Sequence, residues 1–149
     1  MLFRSAMVNA PLVGDVLSLR TVVYARHDGG YINNNFLGRT RVNTSEIAGV
    51  RANAKMRLSP NWTLGTGVIA QFIHVRDTQY FNARTPPFGR DNLVPEPSKN
   101  DFLDLHLTIN GDLGGAELVS TSAWLVHRVK TKFDASLALP SLKIGRAHV

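Results

Sequence analysis

The sequence predicts an all-β fold of about six antiparallel, up-and-down strands, and two patterns support this prediction. Apolar and polar residues alternate with a period of two along most of the chain, as strand side chains do when they point to opposite faces of a sheet. Short connections also alternate with long ones. The alternation is clearest in five segments, with an earlier strand ending near Phe3–Val8: Val16–Arg26, Glu46–Leu58, Trp62–Arg76, Asp101–Leu113 and Ala116–Arg128.

The two faces of the predicted strands differ sharply in charge. Away from the ends of the segments, one face carries only uncharged and mostly apolar residues, such as Leu19, Val50 and Leu105. The other face carries eight charged residues, namely Arg20, Arg26, Arg51, Lys55, Arg57, Asp104, Asp112 and Glu117. We therefore expect a sheet with one continuous apolar face and one polar face.

The connections alternate in length. Asn9–Asp15, Ser59–Asn61 and Gly114–Gly115 are expected to be short reversals, whereas His27–Ser45 and Asp77–Asn100 are long and polar. Outer-membrane barrels separate short periplasmic turns from long extracellular loops in this way. The pattern therefore predicts a piece of a large transmembrane β-barrel, with the polar face toward the lumen.

The predicted strands run about eleven to fifteen residues, which is long compared with the usual strand of about 5–6 residues. Trp62 and Phe72 lie on the apolar face at opposite ends of one strand, and Trp124 lies on the same face. That separation matches the span of a tilted membrane strand, so we predict that Trp62 and Phe72 lie in the two lipid-facing aromatic girdles, one at each end of the strand, with Trp124 at the upper girdle. The alternative is that they are core residues of a soluble sheet.

Composition narrows the possible functions of the 149-residue chain. It has 17 Lys and Arg against 11 Asp and Glu, 5 His and no Cys. The missing cysteine excludes disulfides, zinc knuckles and thiol nucleophiles. The basic residues are spread singly and lack the motif context of a nucleic-acid-binding domain, so we expect no nucleic-acid partner. No apolar run reaches the length of a transmembrane helix.

Several segments together resemble the early barrel of TonB-dependent outer-membrane receptors, over roughly residues 3 to 130. The matching segments are Asn9–Arg20, Tyr24–Asn34, Gly49–Ala52, Leu58–Leu64, Leu105–Leu113 and Ala116–Trp124. Gly111 and Ala123 depart from this pattern, since larger and often aromatic residues are expected there.

The resemblance implies active uptake of a scarce solute across the bacterial outer membrane, and the expected solute is a ferric siderophore-like chelate. Its implied partners are outer-membrane lipid, the rest of the barrel, a plug domain, the TonB energy-coupling complex and a small-molecule ligand such as an iron chelate. Such barrels have about 22 strands and a plugged lumen. Six strands cannot close a barrel, and open sheet edges in hydrocarbon are costly, so we expect residues 1–143 to be a fragment.

The last six residues have a different expected origin. The segment 144–149, Ile-Gly-Arg-Ala-His-Val, reads like the translation of a short-read sequencing adapter. We therefore interpret it as a non-biological tail.

No motif for catalysis is present, and we expect neither an enzyme nor a bound cofactor or metal. The histidines lack metal-site spacing, and there is no phosphate loop or nucleophile elbow. The predicted lumen-facing residues are mostly basic and would either line the path of an anionic solute or pair with acids of missing parts of the protein. They are Arg20, Arg26, Arg51, Lys55, Arg57, Asp104 and His106.

Ligand contacts in this architecture would come from the long loops. The candidates are Tyr31, Arg39, Tyr80 and Arg90. A second hypothesis belongs to another class: a secreted or surface β-sandwich that binds carbohydrate or acts as an adhesin. A sandwich would bury the apolar face against a second sheet, whereas a membrane wall would leave that face uncovered.

Overall fold

The computed structural model describes residues 1–85 and 87–136, and within them all regular structure is β. Six strands form one antiparallel sheet in the order β1-β2-β4-β5-β7-β8. Their bounds are β1 Leu2–Val13, β2 Leu17–Asp28, β4 Ser45–Ser59, β5 Trp62–Val75, β7 Ser98–Asp112 and β8 Glu117–Thr131. A two-stranded parallel sheet is made by β3 Asn33–Asn34 and β6 Gly89–Arg90.

These strands confirm the predicted all-β, open, up-and-down sheet. Each of the six long strands has 12 to 15 residues, because the alternation continues without a break and only a short turn or a long polar loop ends it. Strand β1 runs further than expected. It continues through Pro11 and shifts register between Pro11 and Val13. The missing N–H of Pro11 is tolerated there because the ladder is irregular at this point.

Connections of different length lie at opposite ends of the strands. The short turns at 14–16, 60–61 and 113–116 lie at one end, and the long loops 29–44, 76–85 and 87–97 lie at the other. The predicted segregation of loop lengths is therefore present in the fold.

The register places the two sets of side chains on opposite faces, as the alternation predicted. On the apolar face, Thr21, Ala52, Val68, Leu105 and Trp124 form one row across neighbouring strands. Five consecutive rows, from the one containing Trp62 to the one containing Ala70, carry no charge. The first charges appear one row nearer the long loops, at Arg4, Asp101 and Arg128.

The sheet is a single layer, so very little of it is buried. Among the described residues only Ile32 and Ala70 are buried apolar residues, and Ile32 lies in a loop rather than in the sheet. Large apolar side chains such as Val23, Leu107 and Trp124 stay exposed, and no second sheet packs on them within residues 1–85 and 87–136. The interpretation of residues 144–149 as a non-biological tail lies outside the described residues.

Candidate functional site

The two long loops are joined into one unit, which we call the loop body (residues 29–44, 76–85 and 87–97). Strands β3 and β6 pair in parallel, with Asn33 opposite Gly89 and Asn34 opposite Arg90. Asn34 is fully buried, and its Nδ2 donates a hydrogen bond of 3.0 Å to the carbonyl oxygen of Asn92. No pattern in the sequence predicts this pairing, because two-residue strands carry no periodicity.

An ionic centre made of Asp77, Arg90 and Glu96 lies inside the loop body. The guanidinium of Arg90 is 1% exposed, forms an ion pair with Asp77 and lies 3.7 Å from Glu96 Oε2. It also donates a 2.6 Å hydrogen bond to Thr78 Oγ1. The prediction that Arg90 contacts a ligand is therefore not supported, because its charge is used to neutralise two buried carboxylates.

Tyr80 closes one side of this centre. Its hydroxyl donates a 2.8 Å hydrogen bond to Glu96 Oε2 and accepts one from Asn92 Nδ2. Burial, together with the neighbouring Glu96, raises the pKa of Tyr80 above its ordinary value. The hydroxyl thus makes its hydrogen bonds within the loop body, although Tyr80 as a whole stays partly exposed.

Asp134 connects the chain beyond β8 to the same loops. Its Oδ2 accepts hydrogen bonds from the backbone N–H groups of Leu93 and Val94, and its own N–H donates to Glu96 Oε1. Burial of this carboxyl opposes ionisation. The N–H donors, including that of Ser136, outweigh it and lower the pKa of Asp134 below its usual value.

Three aromatic rings contact one another on the loop body, and we call them the aromatic cluster (Tyr31, Phe81 and Phe88). The rings of Tyr31 and Phe88 are 5.8 Å apart and those of Phe81 and Phe88 are 5.2 Å apart, both edge to face. All three side chains are exposed. Of this cluster only Tyr31 was predicted from the sequence, since nothing in the sequence brings residue 31 near residues 81 and 88.

Arg39, the remaining ligand-contact candidate, lies on the same loop as Tyr31. Its backbone forms an isolated bridge with Asn34, and its side chain is exposed. Tyr31 and Arg39 therefore remain candidates for ligand contact. Tyr80 remains a candidate through the exposed part of its ring, whereas Arg90 is buried and does not.

The polar face of the sheet holds all the residues predicted to face a lumen. A shallow groove of about 360 Å³ lies over Gly65 and includes Arg20, Lys55 and His106. Asp104 Oδ1 lies 2.7 Å from His106 Nδ1 and so holds the imidazole ring. The remaining predicted lumen-facing residues share this face by register, namely Arg26, Arg51 and Arg57.

The predicted girdle residues share the opposite face but do not share a height. Trp62 is the first residue of β5, and Phe72 lies near its loop end. Trp124 pairs with Leu105, which in turn pairs with Val68, so it lies in a row between the two rather than at the upper girdle, where it was predicted. The aromatic girdle itself stays a prediction.

The described residues contain no group of three or more His, Asp or Glu side chains arranged to hold a metal ion. They also contain no helix long and apolar enough to cross a membrane. No protein-family model, curated protein or solved structure matches the chain.

Proposed function

We propose that this chain is part of the barrel wall of a TonB-dependent receptor in the bacterial outer membrane. In this proposal the receptor actively takes up a scarce anionic solute of the ferric siderophore-like class. Outer-membrane lipid covers the apolar face, and the rest of the barrel, a plug domain and the TonB complex are the protein partners.

The observation that carries the proposal is the uncharged band on the apolar face. It covers the five rows from Trp62 to Ala70, which lie eight residues apart, about 26 Å along a strand at roughly 3.3 Å per residue. At the strand tilt of about 40° typical of such barrels, that length spans about 20 Å of membrane height, which is most of their apolar band of about 25 Å.

The edges of the sheet support the same proposal. Strands β1 and β8 are each paired on one side only within the described residues. In hydrocarbon, each unpaired N–H and C=O group costs several kcal/mol, so a membrane sheet needs further strands on both sides. Those strands would come from the rest of the barrel.

The polar face and the loop body fit transport of an anion. Arg20, Arg51 and Lys55 lie on the face assigned to the lumen, where their charge raises the local concentration of anionic solutes. The loop body lies at the strand ends that would face outward in this proposal. A sandwich is the weaker candidate, because the described residues contain no second layer over Leu107 or Val50.

The proposal can be tested with the tryptophans, which number two in this chain and both lie on the apolar face. We expect lipids brominated on their acyl chains to quench the fluorescence of both Trp62 and Trp124 after the protein is refolded into vesicles. A matched control moves the indole to the polar face, with Ile69→Trp in a chain carrying Trp62→Phe and Trp124→Phe. Its fluorescence should resist the brominated lipid.

Sequencing the locus on both sides supplies the second arm of this test. The proposal expects the complete reading frame to encode more alternating strands, and the quenching experiment is then repeated on its product. Equal quenching of the indole on both faces, or a frame that encodes a second sheet to cover the apolar face, would contradict the proposal.

A further inference from the structure

The loop body exposes more aromatic surface than its own packing requires. Tyr31, Phe81 and Phe88 are 50%, 43% and 52% exposed, although their rings touch one another. A contiguous exposed apolar patch on a loop usually marks a binding site. The three rings already contact one another edge to face, and their exposed surfaces can contact a further aromatic ring in the same geometry.

The backbone holds the central ring of this cluster in a strained position. Phe88 has φ of 51°, a conformation that non-glycine residues adopt rarely and at a free-energy cost. The next residue, Gly89, is buried, and a Cβ there would lie 2.8 Å from Thr85 Cγ2. Strain of this kind persists only when the surroundings impose it, and it concentrates at binding sites.

The ionic centre supplies the rigidity that this arrangement needs. Arg90 follows Gly89 directly, and its buried ion pairs fix strand β6, which pairs with β3 two residues after Tyr31. Asn43 Oδ1 accepts hydrogen bonds of 2.8 Å from the backbone N–H groups of Tyr31 and Ile32. Both sides of the cluster are thus anchored before any ligand arrives, which lowers the ordering cost of binding.

The exposed charge of the loop body is mostly positive, with Arg39, Arg41, Arg76 and Arg84 against Asp91. The backbone of Arg41 packs against Gly30, next to Tyr31, and Arg84 lies in the turn between Phe81 and Phe88. Neither guanidinium forms an ion pair with a carboxylate within residues 1–85 and 87–136. Asp91 is the exposed acid of the two loops, whereas Asp77 and Glu96 are buried in the ionic centre.

We infer that the aromatic cluster, with Arg41 and Arg84, is a preformed binding site for a small anion that carries a flat aromatic ring. The ring stacks on Phe88 and its neighbours, and the anionic group pairs with a guanidinium. The inference deepens the proposed function and rests on it only in assigning this ligand to uptake. Binding itself is a property of the loop body.

The probe is 2-naphthoate, measured by equilibrium dialysis against the full chain folded in detergent micelles, with protein-free micelles subtracted. Two comparison compounds separate the parts of the ligand. 2-Naphthalenemethanol keeps the rings and lacks the charge, and cyclohexanecarboxylate keeps the charge and lacks the aromatic ring. We expect 2-naphthoate to bind tighter than either, and the preference over the alcohol to shrink as salt is added.

The decisive variant is Phe88→Gly, because glycine accepts the positive φ without strain and so removes the ring while leaving the backbone in place. We expect it to weaken 2-naphthoate binding at least about three-fold, the loss of one aromatic contact. The matched control is Phe36→Ala, which removes a loop ring that is 62% exposed and outside the cluster. Arg41→Gln with Arg84→Gln should weaken 2-naphthoate and leave 2-naphthalenemethanol unchanged.

The inference is overturned if 2-naphthoate does not bind, if Phe36→Ala weakens binding as much as Phe88→Gly does, or if all three compounds bind equally. These failures are separate from failure of the proposed function. Quenching of Trp62 and Trp124 by brominated lipid reports on the sheet, and it is unaffected by any change in the loops. A protein that is quenched but does not bind 2-naphthoate keeps its proposed function and loses this site.

Discussion

The indole ring of Trp62 on β5 lies over Gly111 of the neighbouring strand β7. The two residues are register partners, and a Cβ at position 111 would lie 2.5 Å from Trp62 Cζ3. Tyr24 covers Gly49 in the same way on the polar face, and its hydroxyl donates a 2.9 Å hydrogen bond to Gln71 Oε1. In both pairs an aromatic ring fills the space of the missing side chain and so helps to fix the register.

Gly111→Ala should displace the Trp62 ring and destabilise the protein by about 1–2 kcal/mol, because the added methyl group occupies space that the indole already fills. Denaturant unfolding in micelles gives the free energy of unfolding, and the emission maximum of Trp62 in a Trp124→Phe background reports the displacement.

Gly65→Ala is the control for this prediction. Gly65 also lies on β5, but a Cβ there meets nothing closer than 3.8 Å. This change should be neutral or slightly stabilising, since alanine loses less conformational freedom on folding than glycine does. If both substitutions change the free energy of unfolding equally, the position of the Trp62 ring does not depend on Gly111.

The Trp62–Gly111 pair also shows where sequence reasoning works and where it stops. Alternation located five of the six long strands, because period two follows directly from strand geometry. The first strand was expected only near Phe3–Val8, and its continuation to Val13 was missed. The same alternation placed Trp62 and Gly111 on one face. It could not pair them, because register between distant strands depends on contacts that no local pattern records. Gly111 therefore looked like a departure from the resembled family, whereas the structure gives it a neighbour that requires it.

The loop body was harder to predict for a related reason. Arg90 looked like an exposed ligand contact because arginine in a polar loop is usually solvated. Its burial depends on Asp77, thirteen residues earlier, and on Glu96, held by the distant Asp134. Proline and glycine in this loop indicate only that no regular ladder continues. The ionic centre is a tertiary arrangement that those residues permit but do not specify.

Arginine placed on the apolar face should be far more costly than arginine on the polar face. In the complete barrel, Leu107→Arg should reduce the free energy of folding into a bilayer by about 2–4 kcal/mol, the cost of a cation near the membrane midplane. Val50→Arg should also destabilise the barrel but by less, because Val50 pairs with Ala70 at the end of the uncharged band that faces the long loops. Asn53→Arg is the matched control, since Asn53 is on β4 with Val50 but on the other face. Folding of the three variants from urea into lipid vesicles gives the free energy of folding of each. Equal losses of this free energy on both faces would contradict our assignment of faces.

Arg90→Met should loosen the loop body while leaving the six-stranded sheet intact. Removing the guanidinium leaves the buried carboxylates of Asp77 and Glu96 without their cation, a loss of about 3–5 kcal/mol in local stability. Hydrogen exchange should show faster exchange at the N–H groups of Asn33 and Asn35, which bond across the two loops. Protection in the middle of β5 should not change.

The control for this loss is Arg76→Met, since Arg76 is exposed and lies outside the ionic centre. It should leave loop exchange unchanged. Faster exchange throughout the sheet in Arg90→Met would show instead that the loop body and the sheet unfold together.

Acid should release the link between Asp134 and the loop body. The pKa of Asp134 is lowered in the folded protein from an ordinary value of 3.8, so its carboxylate stabilises this link above that value. The contribution is lost as the pH falls below 3.8 and through the lowered folded pKa, because a protonated carboxyl accepts hydrogen bonds poorly. The amide protection factors of Leu93 and Val94, which donate to Asp134 Oδ2, should therefore fall across this acid range.

Asp134→Asn supplies the comparison, because asparagine keeps the shape and one acceptor oxygen but does not titrate there. Its protection factors at Leu93 and Val94 should be lower at neutral pH and should change less with acid than those of the wild-type protein. The ladder N–H groups of β7 serve as the internal reference for general acid unfolding. If they lose protection in parallel with Leu93 and Val94, the acid response belongs to the whole sheet, and Asp134 is not the titrating link.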